Sequence, residues 1–204
     1  YPREETDDGT FRILAAVATP DGKAAVTSAI ASSKDFASFP LTLKSAVVAR
    51  LADAMAESPY GWGGMYGNRD CSAFLRDLFA GFGIWLPRNS YQQVHDGNEA
   101  VMLAHLPPRA KEQVIIEQGI PFATLLWMPG HVLLYIGEKE GRAMAVHVMW
   151  GIRSHSWRRE GRIIVGGMAV TTLVPGAELP AVQPEDLLIN RIGAMRLLVP
   201  ALKD

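Results

Sequence analysis

Four apolar segments follow one another between Pro121 and Val174: PFATLLWM, HVLLYIG, RAMAVHVMWG and RIIVGGMAVTTLV. Each is rich in Val, Ile, Leu and Thr and is bounded by Gly, Pro or charged turns, the pattern of strands in a sheet. The run Glu138-Lys139-Glu140-Gly141 predicts an antiparallel hairpin between the second and third segments. The chain ahead of them reads as helical. Thr42 is the expected N-cap of a helix through Leu43, Val47, Leu51 and Met55 that Pro59 ends. A second helix starts near Cys71, carries Phe74, Leu75, Leu78 and Phe79 on one face, and stops at Gly81 and Gly83. RAKEQVIIEQ forms a third, closed by Gly119, and the tail DLLINRIGAMRLL reads as one more. The stretch between Ser90 and Pro107 is mixed and polar and suggests no element. Helices first and strands after them predict an α+β fold rather than an alternating doubly wound sheet.

Residues Phe11 to Ile30 stand apart from this plan. FRILAAVA and AAVTSAI flank Thr19-Pro20-Asp21-Gly22-Lys23, which predicts a β-hairpin with a tight turn. A hairpin alone is marginal in water and needs another layer to pack on. The expected division is therefore residues 1–40 and residues 41–204.

At 204 residues, with 49% hydrophobic and 20% charged residues, the chain can bury a core. Twenty Lys and Arg against 21 Asp and Glu leave a net charge of -1, so no basic field favours a nucleic-acid backbone. No apolar run approaches the roughly 20 residues of a membrane-spanning helix. The single cysteine, Cys71, excludes an internal disulfide and a multi-Cys zinc site within this sequence. The start at Tyr1, without Met or an apolar leader, is that expected of a processed or trimmed product.

Cys71 is the centre of the candidate chemistry. It follows Tyr60-Gly61-Trp62-Gly63-Gly64-Met65-Tyr66-Gly67-Asn68-Arg69-Asp70, a segment with four glycines that argues for a tight loop. Helix-start amides and the helix dipole favour an anion there, which predicts a lowered thiol pKa. A nucleophile needs a base. With the turn at Glu138 to Gly141, His131 and His147 fall on opposing strands and can lie side by side, one as base and one as orienter.

Plainer readings compete with each of these. A lone cysteine is more often a small buried hydrophobe, and a strand histidine is more often structural. Metal binding by Cys71, His131 and His147 lacks any local pair of ligands. His95, His105 and His155 read as bystanders. Arg153, Arg158 and Arg159 with Trp157 form a basic and aromatic cluster, either a solvated turn or a site for substrate carboxylates. Tyr60 and Trp62 serve either loop packing or a pocket wall.

The motifs YGWGG, RDCSAFLRDLF, GIWLPRNSYQQ, PGHVLLYIG and AVHVMWG occur in this order. Together they resemble the NlpC-type murein peptidases, papain-like cysteine endopeptidases of bacterial cell-wall peptides. The resemblance runs from about Leu41 to the C-terminus. It implies a papain-like α+β fold in which the nucleophile at a helix start packs on an antiparallel sheet that carries the histidines. It implies hydrolysis of the γ-D-glutamyl to diaminopimelate bond of murein stem peptides, with Cys71 as nucleophile, His131 as base and His147 as third residue. Tyr60 falls on the tyrosine that aids substrate binding and the oxyanion. Trp62, Asp70, Ser72, Arg88, Asn89 and Ser90 join it in the expected substrate-binding set. No metal or organic cofactor is implied.

Two positions depart from the family pattern. Ala73 stands where Gly is usual, and Asn89 where relatives that take free murein peptides place an Asp before Ser90. Asn keeps the acceptor but loses the charge that pairs with a substrate ammonium. The resemblance also makes residues 1–40 the remnant of an upstream bacterial Src-homology-3-like barrel, so that an upstream segment or chain would pack there. It implies the bacterial envelope, periplasmic or secreted, as the location. An acyltransferase or amidase on the same fold, and a cell-wall binding module with an idle thiol, remain as alternatives.

Overall fold

The computed structural model describes residues 4–5, 10–32, 37, 39–96, 100–156 and 159–200. The chain divides into two compact units, Tyr1–Leu41 and Thr42–Asp204. The first is an antiparallel sheet of β1 (Glu4–Glu5), β2 (Thr10–Ala18) and β3 (Ala24–Ser32), in the order β1-β2-β3. The predicted turn closes β2 onto β3. Gly22 takes a φ of 78°, and the Thr19 amide and hydroxyl both donate to the Lys23 carbonyl at 2.8 Å.

The second unit opens with α1 (Ser45–Ala54), which starts two residues later than an N-cap at Thr42 would place it. Lys44 holds the N-cap position with no side-chain hydrogen bond, and the buried residues are Val48 and Ala52 rather than Val47 and Leu51. The helix ends at Met55, before Pro59 is reached. A tight loop, Trp62–Gly67, in which Gly63, Gly64, Met65 and Tyr66 leave the helical region, then leads to α2 (Cys71–Ala80). The polar stretch after Pro87 holds two elements the sequence reading missed, α3 (Ser90–His95) and β4 (Ala100–Met102). After α4 (Pro108–Gln118), capped at Gly119, come β5 (Thr124–Met128), β6 (His131–Lys139), β7 (Arg142–Ser156) and β8 (Arg159–Thr172).

The tail corrects the expectation of one long helix. Only Leu188–Arg191 is helical (α5), and β9 (Ala194–Leu197) follows. Its position explains the change. β9 lies between β4 and β5 in a six-stranded sheet of order β4-β9-β5-β6-β7-β8, where Ala194 and Met195 are both buried. Backbone pairing on both sides outweighs the weak helix propensity of the segment.

The core gathers Leu126 and Met128 of β5, Leu133 and Tyr135 of β6, and Ala143 and Ala145 of β7 with Ile115 of α4 and Leu188 and Ile189 of α5. α2 buries Phe74, Leu75, Leu78 and Phe79 and packs against β6 and β7. These contacts hold the first turn of α2 beside the start of β6.

The β6–β7 hairpin carries a register shift. Lys139 pairs with Arg142 and Gly137 with Met144, but Tyr135 pairs with Ala145 and Leu134 with Val146. Ile136 is the extra residue of a β-bulge, and Gly137 takes a φ of 121°, which glycine adopts without strain. Extending the register found near the turn would set His147 across from Leu134. The shifted register sets it across from Leu133, two residues from His131. Since side chains alternate faces, the bulge puts the two histidines on one face, and an unbulged hairpin would separate them.

Candidate active site

The glycine-rich loop folds as its glycines require. Gly63, Gly64 and Gly67 have φ of 66°, 91° and 75°, and a side chain at Gly61 would meet the Met65 carbonyl at 2.7 Å. The loop closes on itself where the Gly61 amide donates to the Arg69 carbonyl at 2.9 Å. Its entry is tied to β8, because the Tyr60 amide donates at 2.8 Å to the carbonyl of Gly166, which itself sits at a φ of 71°.

Asp70 is the hub beneath this loop. Its carboxylate accepts from the Ala73 amide at 2.9 Å, capping α2, from the Ser72 hydroxyl at 3.1 Å and from the Gly63 amide at 3.1 Å. The Arg88 guanidinium engages both of its oxygens, with Nη1 at 3.0 Å from Oδ1, and Nη1 also reaches the Ser72 hydroxyl at 2.9 Å. Burial pushes the Asp70 carboxyl up, but Arg88, the Ala73 amide and Ser72 outweigh it and leave it below its ordinary value. Asp70, Ser72 and Arg88, expected in the substrate-binding set, thus spend hydrogen bonds on one another and on the helix start.

Cys71 is the first residue of α2 and is 8% exposed. Its thiol pKa is raised, which corrects the sequence expectation. Desolvation is the largest cause. The amides of Val132, Ser72 and Cys71 itself favour the thiolate, the Asp70 charge opposes it, and burial wins. Val132 follows His131 in β6, so the same strand start that supplies the histidine turns an amide toward the sulfur.

His131 and His147 meet. His131 Nε2 lies 2.8 Å from His147 Nδ1, and His147 Nε2 lies 3.1 Å from the Thr171 hydroxyl on β8. One tautomer set satisfies all three groups: His131 Nε2–H donates to His147 Nδ1, and His147 Nε2–H donates to Thr171. Among the described residues His131 Nδ1 makes no hydrogen bond, so it remains free as a base. Burial holds His131 well below the ordinary histidine value, with further lowering from His147 and Arg191, and burial lowers His147 to about 4. Thiol and imidazole are therefore both neutral at rest.

A cavity of about 690 Å³ runs past this pair. Tyr60, Trp62, Tyr66 and Trp150 are its aromatic lining, together with Gly130 and His131. Of the expected site residues, Tyr60, Trp62 and His131 line the cavity. Cys71 and His147 are buried beside them, and Asp70, Ser72, Arg88, Asn89 and Ser90 lie outside the lining. Burial first, then charge on Cys71 and Asp70, raises the Tyr60 phenol above its ordinary value, so it stays a hydrogen-bond donor close to the thiol. Asn89 caps α3, accepting from the Tyr91 amide at 2.8 Å.

The sequence reading missed Thr171, Trp150, Asp186, Arg162 and Arg191. His155, taken as a bystander, has Nε2 2.7 Å from Asp186. Arg153 does line the cavity, Arg159 does not, and Trp157 and Arg158 lie outside the described residues. His95 stacks on Tyr91 with ring centroids 4.0 Å apart.

The NlpC/P60 family model matches residues 57–152, a span that contains Tyr60, Cys71, His131 and His147. An NlpC/P60 endopeptidase from Photobacterium damselae subsp. piscicida is similar in structure, with 28% identity and a TM-score of 0.77 over 97% of this chain and 48% of that one. Its fold is the papain-like α+β arrangement expected from the sequence. A protein similar to lipoprotein of the NLP/P60 family, from Staphylococcus aureus subsp. aureus Mu50, is 16% identical, with a TM-score of 0.45 over 83% of this chain and 46% of that one. The chain spans about half the length of these solved structures. No protein of curated function matches it.

Proposed function

Given that this chain is of the NlpC/P60 family over residues 57–152, we propose that it is a cysteine endopeptidase of the bacterial envelope. In this reading it hydrolyses the γ-D-glutamyl to diaminopimelate bond of murein stem peptides. The observation that carries the reading is the relay of His131, His147 and Thr171 that begins at the start of β6, where the next amide, Val132, faces the Cys71 thiol.

The chemistry follows from the neutral resting pair. Cys71 Sγ attacks the γ-carbonyl carbon as its proton passes to His131 Nδ1. The imidazolium so formed is held by His147 Nδ1, which accepts from His131 Nε2–H, while Thr171 fixes the His147 ring. The tetrahedral oxyanion is held by the Cys71 amide and the Tyr60 hydroxyl, each donor typically worth about 3 kcal/mol. Collapse expels the diaminopimelate amine, which takes the proton from His131. Water, deprotonated by the same nitrogen, then cleaves the thioester and frees the glutamyl acid. Asp70 and Arg88 act on this step by fixing the first turn of α2 and the loop that carries Tyr60.

The three-stranded sheet of residues 1–40 is read as the end of a Src-homology-3-like barrel, with exposed Leu14, Val26 and Ile30 as the surface that an upstream segment would cover. The test of the reaction is direct. Cleavage of L-Ala-γ-D-Glu-diaminopimelate by the protein should yield L-Ala-D-Glu and free diaminopimelate, and Cys71→Ala should abolish it. Retained hydrolysis in that variant refutes the assignment, and an acylated amine in place of the free acid indicates transfer instead.

A further inference from the structure

Part of the cavity wall is cationic. Arg153, Arg162 and Arg191 line it together with one acid, Asp186. Arg153 and Arg162 are direct cross-strand partners on β7 and β8, an arrangement in which like charges repel. Asp186 offsets only part of this charge, since Oδ1 is 3.5 Å from Arg153 Nε and Oδ2 is taken by His155 at 2.7 Å. Arg162 and Arg191 have no ion-pair partner among the described residues. Each is held by a backbone carbonyl instead, Arg162 by Gly151 and Arg191 by Pro129, both at 3.3 Å. Pro129 lies two residues before His131, so Arg191 bridges this wall to the catalytic strand. Desolvation, then the charges of Arg153 and Arg162 against that of Asp186, bears on Arg191 and places the four groups in one field. Unpaired guanidiniums in a cleft wall fit a planar, bidentate anion.

We propose that Arg153, Arg162 and Arg191 form a carboxylate subsite that selects peptides bearing a free carboxylate beside the scissile bond. The aromatic residues of the lining pack on the methyl and methylene groups of the peptide, and the guanidiniums fix its register against His131. This rests on the peptidase reading above, but it is separable by experiment, because binding needs no catalysis.

The probe is the tetrapeptide L-Ala-γ-D-Glu-diaminopimelate-D-Ala, unmodified and with each of its carboxylates amidated in turn, titrated calorimetrically into the Cys71→Ala protein and into the same protein with Arg162→Gln or Arg153→Gln. Arg162 is exposed, so its substitution leaves the fold intact. The expected result is that one amidation weakens binding roughly 10- to 100-fold, that Arg162→Gln does the same to the unmodified peptide, and that the two combined lose no more than either alone. Affinities within twofold for every peptide and variant, losses that multiply, or no binding of the unmodified peptide at millimolar concentration would each overturn the proposal. Hydrolysis by the Cys71→Ala protein would sink the peptidase reading alone and leave the subsite result standing.

Discussion

Asp70 offers the sharpest test of how the site is held. The carboxylate is buried, 12% exposed at its side chain, and it accepts from the cap amide, a hydroxyl, a loop amide and a guanidinium that is itself 41% exposed. Replacing it by Ala removes an N-cap, typically about 1 kcal/mol. It strips the buried Ser72 hydroxyl of its acceptor, about another 1 kcal/mol. The Arg88 pair adds less than about 1 kcal/mol, because the guanidinium is wet enough to rehydrate. Gly63 is exposed and its amide turns to water. Asp70→Ala should therefore cost about 2 to 3 kcal/mol, and Asp70→Asn, which keeps an acceptor for Ala73 and Ser72, about 1 kcal/mol.

The assay is urea unfolding followed by a core fluorescence signal, where a slope of about 2 kcal/mol per molar turns the larger loss into a midpoint shift of roughly 1 M or more. Cleavage should fall further than stability explains, since the same bonds place the first turn of α2 and the Tyr60 loop. The carboxyl pKa is lowered in the fold, so its stabilisation is present above the unfolded value and is lost as pH falls through the folded one. A shift for Asp70→Ala below about 0.5 kcal/mol, or equal shifts for Ala and Asn, would refute the hub.

The remaining expectations concern the thiol, the histidines and the bulge. Cys71 alkylation by iodoacetamide should rise with an apparent pKa above the ordinary thiol value of about 8.5, and a value below 7 would show a resting thiolate instead. Both histidines are buried neutral, so stability is full above an unfolded pKa near 6.5 and is lost toward pH 4, where His147 alone costs roughly 3 kcal/mol. Urea midpoints that stay flat between pH 7 and 4 contradict this. Thr171→Val should lower kcat about tenfold with little change in KM, because it frees the His147 ring without touching the cavity. An unaltered kcat removes Thr171 from the relay. Gly137→Ala should cost about 1 to 2 kcal/mol from its φ of 121° even though the added methyl meets nothing closer than 3.8 Å, and an unchanged midpoint would mean the bulge is not strained.

What the sequence carried, and what it could not, follows from where each signal resides. The strands from β5 to β8, the helix start at Cys71 and the glycine-rich loop are local, and periodicity and turn chemistry expose them. α3 was lost because Gln93 and Val94, its buried residues, sit among polar neighbours in a helix of six residues, too short for a period to show. β9 was lost because its partners β4 and β5 are distant in sequence, and a strand inserted between two others is specified by them. The thiol shift was misjudged in sign because the helix start is local and visible, whereas the burial that dominates it comes from tertiary packing. The sequence placed His131 and His147 side by side on opposing strands, where they do meet, but the register that joins them was not legible. Counting back from the Glu140-Gly141 turn puts them on opposite faces, and only the extra residue at Ile136, permitted by Gly137, brings them to 2.8 Å. The histidine pairing thus depends on a backbone irregularity that hydrophobic alternation conceals, since Leu133, Leu134, Tyr135 and Ile136 are apolar in succession and fit either register.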